Sequence, residues 1–249
     1  MFPFLFFGST MSFFRFYNES ICISSLNLLH QAKAGKLLFQ VWRNMKQKEN
    51  KGISMKEIVR QYIKKIEKFD EDEINGIVEN MQVESFKKGT VILKQGSVCD
   101  KCYFVLKGCL RQYMIVDGEE KITDFFLEGQ PAVMYSSYIK QSPSEFYLSC
   151  VEDCVLITGT REQELELHKK YPKLEYITHT LMVQDYHKVE DYIALLNGYK
   201  PEERYLALQK NRPELLNRIP LHQIASFIGV TPESFSRIRK RIMANDKSG

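Results

Sequence analysis

The chain has 249 residues, room for one large domain or two small ones, and its 44% hydrophobic and 12% aromatic content can bury an ordinary core. That composition excludes a disordered chain, and no stretch resembles the 18 or so apolar residues of a membrane-spanning helix. Net charge is +4 and sits at the C-terminal end: residues 201–249 hold 9 Lys/Arg against 5 Asp/Glu, whereas residues 45–200 hold 22 against 25.

Residues 1–44 begin MFPFLFFGSTMSFFRFYNES, rich in Phe but without strand alternation. The apolar run Phe2–Phe7 is too short for a signal core and no basic region precedes it. We expect a mis-assigned upstream extension, or a disordered or partner-binding arm, with Met45 a natural start for the folded protein. Ser54–Met81 reads as helical, with Ile58, Ile63, Ile66, Ile74, Ile77, Val78 and Met81 facing a core. A break near Phe69 lets Asp70 cap a second helix whose first turn holds Glu71, Asp72 and Glu73.

From Val83 the period shortens. β-prone runs at Val91–Leu93, Tyr103–Leu106, Leu110–Val116, Ile122–Phe126, Phe146–Val151 and Cys154–Thr158 are separated by glycine or proline turns. Asp117-Gly118 between two alternating runs is a hairpin signal. These runs predict an all-β barrel or roll of roughly 75 residues. Helical periodicity returns at Arg161–His168, breaks at Tyr171-Pro172, and resumes over Lys173–Asn197 with Gly198 as the expected C-cap. The stripe Leu174, Ile177, Leu181, Met182, Val189, Tyr192 and Leu196 on this helix is a candidate dimer seam, interrupted by Asp185 and Lys188. Packing against the β-domain alone is the plainer alternative. Pro201 starts a helix to about Gln209, and Arg212–Arg218 connects onward.

Ile219–Ile242 carries the most information. A short helix (about Leu221–Ile228), a turn at Gly229-Val230-Thr231 and a second helix from Pro232 follow from apolar spacing, a turn glycine, a hydroxyl N-cap and proline at the first helical position. Ile224, Ala225, Ile228, Val230, Phe235, Ile238 and Ile242 fall on one side, and Arg237, Arg239, Lys240 and Arg241 on the other. A helix–turn–helix with a basic second helix is the geometry that lays one helix into the DNA major groove. A solvated basic tail is the competing account of the charge.

Helices, β-roll, long helix, helix–turn–helix: this order resembles the cyclic-AMP receptor protein/fumarate–nitrate regulator (Crp/Fnr) family of bacterial transcription factors, over roughly Ser54–Ala244. The roll carries the family's spaced glycines and central aromatic strand in KKGTVILKQGSVCDKCYFVLKGCLRQY, with Gly89, Gly96, Asp100, Tyr103, Phe104, Val105 and Gly108 in place. The resemblance implies an α+β chain: N-terminal helices and a cyclic-nucleotide-binding-type β-roll (45–170), a dimerisation helix (171–200) using Leu174, Ile177, Leu181, Val189 and Tyr192, and a helix–turn–helix domain (201–249). It further implies that Glu233, Ser236 and Arg237 read a half-site similar to TTGA. Glu can accept from cytosine N4 and Arg can grip guanine O6/N7. Ser234, Arg239, Lys240 and Arg241 are then phosphate or flank contacts, with Thr231 and His222 at the motif's entry.

The effector region, Met134, Tyr135, Ser136, Ser144 and Glu145, departs from the family. Val133-Met134 stands where cyclic-nucleotide binders carry Gly-Glu, and Ser144-Glu145 where they carry Arg and a small residue. A cyclic phosphate would lose a charge-assisted Arg pair, worth about 1.5–3 kcal/mol, and would meet a carboxylate. We therefore expect no tight binding of cyclic AMP or cyclic GMP, and no other cofactor. The wing strands of many relatives are also reduced, since only Arg212–Pro220 precedes the motif.

Six cysteines (Cys22, Cys99, Cys102, Cys109, Cys150, Cys154) in a long chain without a signal peptide fit a reducing cytoplasm better than a disulfide framework. Cys99-x-x-Cys102 invites a zinc or redox reading, but Cys150 and Cys154 are a loose second pair. The five histidines show no ligand spacing, and no nucleophile–base arrangement points to an enzyme. The expected partners are a second copy of the chain and a near-palindromic DNA site, with RNA polymerase a further candidate and no membrane. The alternative is a β-roll small-molecule or redox sensor acting through a protein partner, the redox version through Cys99 and Cys102.

Overall fold

The computed structural model describes residues 55–66 and 69–245. The extension at 1–44, with Cys22 and His30, lies outside the described residues, as do the side chains of Ile58 and Ile66. Helices α1 (Met55–Ile66) and α2 (Glu71–Asn80) come first. Asp70 Oδ1 accepts the Glu73 N–H at 2.7 Å while the Glu73 carboxylate accepts the Asp70 N–H at 3.0 Å. This reciprocal cap satisfies two N–H groups that a helix start leaves unpaired. Ile63, Ile74, Ile77 and Val78 are buried as expected, and Met81 is partly so.

Among the described residues, eight strands follow: β1 (Gln82–Phe86), β2 (Val91–Leu93), β3 (Lys101–Lys107), β4 (Leu110–Val116), β5 (Glu119–Phe126), β6 (Pro131–Ala132), β7 (Tyr147–Cys150) and β8 (Cys154–Thr160). They form two antiparallel four-stranded sheets in the orders β1-β8-β3-β6 and β2-β7-β4-β5. The β4–β5 hairpin turns at Asp117 (φ 52°) and Gly118 (φ 81°), the two positive φ values of a type I′ turn. Leu93, Tyr103, Val105, Leu110, Phe126, Met134, Tyr138, Leu148 and Leu156 fill the space between the sheets. Helix α3 (Tyr135–Lys140) closes one side. The buried Ser137 hydroxyl pins it, accepting the Cys99 N–H at 2.8 Å and donating to Ser142 O at 2.5 Å.

Helices α4 (Arg161–Lys170) and α5 (Pro172–Gly198) lead away from the roll. Gly198 is not the left-handed cap expected from sequence. The chain leaves α5 at Tyr199 in extended geometry (φ −119°, ψ 144°), and Lys200, ahead of a proline, is extended too. Arg204 replaces the cap: its guanidinium donates to Leu196 O (2.7 Å), Tyr199 O (2.9 Å) and Ile228 O (3.0 Å). Helices α6 (Pro201–Asn211), α7 (Pro213–Arg218), α8 (Leu221–Phe227) and α9 (Pro232–Asn245) make up the C-terminal head. The segment read as a connector at Arg212–Arg218 is thus mostly α7. Tyr205, Leu208, Leu215, Ile219, Ile224, Phe227, Ile228, Phe235 and Ile238 form the head's core. That core is continuous with Cys109, Tyr113, Ile122, Phe125, Leu127 and Val151 of the roll.

Candidate nucleic-acid interface

Helix α9 is oriented by what it buries. Phe235 is 2% exposed and meets the Tyr205 ring edge-on at 5.2 Å, and Ile238 packs beside it. Two buried side chains three residues apart turn the opposite face outward. Glu233, Ser236, Arg237 and Lys240 are all exposed on it. Thr231 caps the helix by accepting the Ser234 N–H at 3.3 Å. Arg237 donates to Ser234 Oγ at 3.3 Å, and no ion pair ties it to Glu233 among the described residues. Gly229 (φ +72°) makes the turn. His222, at the start of α8, is exposed.

The remaining basic residues divide. Lys240 has no ion-pair partner among the described residues, and the Arg239 guanidinium lies 5.9 Å from the Phe235 ring centre. Arg241 is ion-paired to Glu202 of α6, so it braces the head's helices. The outward face therefore offers a carboxylate acceptor, a hydroxyl, a guanidinium and an ammonium within about two helical turns, a set suited to base edges and phosphates.

The effector residues sit elsewhere. Met134, Tyr135, Ser136, Ser144 and Glu145 all line a cleft of about 2570 Å³ between the roll, α5 and the head. That exceeds the roughly 300–1,000 Å³ of a fitted small-molecule pocket, so it is an interdomain cleft. Met134 is buried in the roll core, and the Ser144 hydroxyl is spent on its own turn, donating to Phe146 O at 3.0 Å and accepting the Phe146 N–H at 3.1 Å. Glu145 is exposed. None of the five supplies a cation for a phosphate. Asp185 of α5 also lines the cleft; burial raises its pKa and Asp124 adds to the rise, against a 2.6 Å contact with Lys188.

The stripe on α5 splits into two faces. Leu174 packs against the α1–α2 cluster, Ile177 is buried, and Tyr192 stacks on Phe227 at 4.7 Å and donates to Phe227 O at 2.7 Å. Leu181 is half-buried, while Val189 is 50% exposed, together with Tyr176, Tyr186 and Ile193. Sequence periodicity merged these faces because 27 residues of helix pass two different neighbours, the roll and the head.

The Cys99 and Cys102 thiols are quiet. Burial raises the pKa of Cys99, and raises that of Cys102 to about 11, helped by the charge of Glu164. A thiol in that state is protonated at neutral pH, the reverse of what a reactive cysteine needs. No group of three or more His, Cys, Asp or Glu able to hold a metal occurs among the described residues, and no helix among them is long and apolar enough to cross a membrane.

Residues 83–171 match the cyclic nucleotide-binding domain family. The nitrogen fixation regulation protein FixK of Rhizobium meliloti is 26% identical over 164 residues, covering 63% of this chain and 72% of that protein. FixK2 from Bradyrhizobium japonicum superposes with a TM-score of 0.56 at 18% identity, over 67% of this chain and 86% of that one. The c-di-GMP responsive global regulator CLP of Xanthomonas campestris gives 0.58 at 18% identity, over 71% and 93%. The two superpositions establish a common fold of roll, long helix and head.

Proposed function

We propose that the chain is a homodimeric, sequence-specific DNA-binding regulator of the Crp/Fnr type whose α9 reads the major groove, a reading supported by the cyclic nucleotide-binding domain match over residues 83–171 and by the similarity to FixK. The observation that carries this reading is the outward face of α9: Glu233, Ser236 and Arg237 are exposed together while Phe235 and Ile238 lock the helix from behind. Glu233 would accept from a cytosine amine and Arg237 would pair with a guanine, in a half-site similar to TTGA. Ser234, Arg239 and Lys240 would contact phosphate or flanking positions, with Thr231 and His222 at the entry. Arg241, expected as a further phosphate or flank contact, is ion-paired to Glu202 in the free chain. The seam between copies would use the exposed side of α5, where Val189 is joined by Tyr176, Tyr186 and Ile193, with Leu181 at its margin. Leu174, Ile177 and Tyr192 hold α5 to its own chain. The roll (45–170) would act as scaffold or sensor, the helix (171–200) as connector and residues 201–249 as reader, in the cytoplasm and in reach of RNA polymerase.

We expect the roll not to take a cyclic nucleotide. Its interior is filled by Tyr103, Met134, Tyr138 and Phe126, and Glu145 stands where a phosphate would want a cation. A redox role through Cys99 and Cys102 is disfavoured by their protonated state.

In vitro selection from random DNA, with the full chain and the Arg237→Ala variant side by side, tests the reading. A two-fold symmetric motif should emerge from the parent and lose its preference at one guanine in the variant, a discrimination of about 1–3 kcal/mol. Cyclic AMP should leave the enrichment unchanged. Absence of any enriched motif, or identical motifs from both proteins, counts against it.

A further inference from the structure

Beside the shared apolar core and the Tyr192–Phe227 contact, two polar or covalent attachments hold the head to the rest of the chain. The first is the covalent passage from α5 to α6 at Tyr199-Lys200, bridged by Arg204. The second is non-covalent and runs from α7 and α8 directly to the roll. Arg218, at the end of α7, pairs bidentately with Glu128 of the roll, Nη1 to Oε2 at 2.8 Å and Nη2 to Oε1 at 2.9 Å, and is ion-paired to Glu152 as well. Glu128 is 4% exposed and also accepts the Gly108 N–H at 3.1 Å. Arg212 extends the contact to Asp124 Oδ1 (3.1 Å) and Phe125 O (2.5 Å). The Ser226 hydroxyl completes it, accepting the Ile122 N–H and donating to Glu120 O, both at 3.0 Å.

A body attached at one short passage can swing about it; a second attachment well away from the first fixes the angle. The docked surface comes from α7 and the Ser226 side of α8, so Glu233, Ser236, Arg237 and Lys240 of α9 stay exposed while it is engaged. We propose that Arg218, with Glu128 and Glu152, is a positioning residue that clamps the reading head to the roll, and so sets the distance between the two half-sites that a dimer accepts. The proposal rests on the DNA-reading function proposed above. A bidentate guanidinium on a buried carboxylate is directional, so the clamp holds orientation as well as contact.

The test uses the full-length protein and a double variant, Arg218→Met with Glu128→Gln, which removes the pair without leaving a buried charge alone. Ser226→Ala is a milder second variant that leaves every charge in place. The first readout is hydrogen–deuterium exchange over Glu119–Phe126, compared with Leu110–Val116 in the same protein. The Ile122 amide should lose about tenfold in protection in the double variant while the inner strand keeps its own. The second readout is affinity for the selected half-sites as their separation is changed by single base pairs. The parent should bind one separation and fall steeply on either side, as a rigid dimer does. The double variant should give a flattened profile with the same half-site sequence, and Ser226→Ala should lie between.

General destabilisation would lower binding at all separations alike and leave the profile's shape intact, which overturns the proposal. Unchanged exchange over Glu119–Phe126 in both variants overturns it too. If the parent enriches no DNA motif, DNA reading has failed, and the exchange comparison alone decides whether the clamp exists.

Discussion

At the scale of single residues, Gly229 shows how a short signal can be read with its reason. Its φ of +72° is the left-handed conformation that side chains resist, and an added Cβ would stand 3.1 Å from Arg204 Nη1 and 3.7 Å from Leu196 Cδ2. Gly229→Ala should therefore destabilise the chain by about 1–2 kcal/mol, read from the denaturant midpoint at constant slope. A larger loss would mean that Arg204 is displaced from its three carbonyls as well. The turn glycine, the Thr231 cap and the apolar spacing around them were all legible because each acts locally. The role of Arg204 was not, because a lone arginine in EERYL carries no sign that it ends the preceding helix. Nor was the pairing of Arg241 with Glu202, whose separation of 39 positions hides it among other surface charges.

At the scale of elements, the long strands and helices followed from their periods, and the misses share a cause. β1 has the mixed burial of an edge strand, β6 has two residues, and α3 is a single turn and a half held by the Ser137 hydroxyl rather than by its own propensity. The long α5 was legible as a helix but not in its division of faces. Asp185 lies on the part that turns toward the roll and the head, with Asp124 and Arg212 close by. Its folded pKa is raised above the usual aspartate value, mainly by burial. The folded state thus holds this proton more tightly than the unfolded chain, so the stability it contributes is present at low pH and lost as pH rises through the raised value. Asp185→Asn should accordingly raise the melting temperature at pH 7, with the gain shrinking as pH falls toward 4. A gain that is constant across that range would remove burial of the charge as its cause.

At the scale of the whole molecule, the polar part of the head–roll union was invisible in sequence because it runs through arginines that composition counts simply as positive charge. Arg212 and Arg218 contribute to the basic excess of residues 201–249, yet both are taken up by carboxylates of the roll, the Glu128 partner lying 90 positions earlier. With Arg204 and Arg241 also engaged inside the chain, the surface charge left for DNA is smaller than the count suggests. With Arg237 assigned to a base, Arg239 and Lys240 are the two further cations of α9 placed to reach phosphate, two per head. Each phosphate contact contributes a slope of about −0.9 to the dependence of log affinity on log salt, so a dimer using these two residues per head should show a slope of about −4. Lys240→Ala should reduce its magnitude by about 2 without changing the preferred sequence, measured by fluorescence anisotropy across a salt series. An unchanged slope would place Lys240 off the backbone.

The seating of Ser226 has a consequence of another kind. β5 is the last strand of its sheet, and a last strand offers its free N–H and C=O groups to any extended chain that arrives. Here the Ile122 amide and the Glu120 carbonyl are occupied by a helix of the same molecule. The head thereby shields the roll against edge-to-edge pairing with other chains. A cut after α5 would leave behind not just a reader-less roll but one with an adhesive border, and its solubility, rather than its fold, would be the first property to suffer.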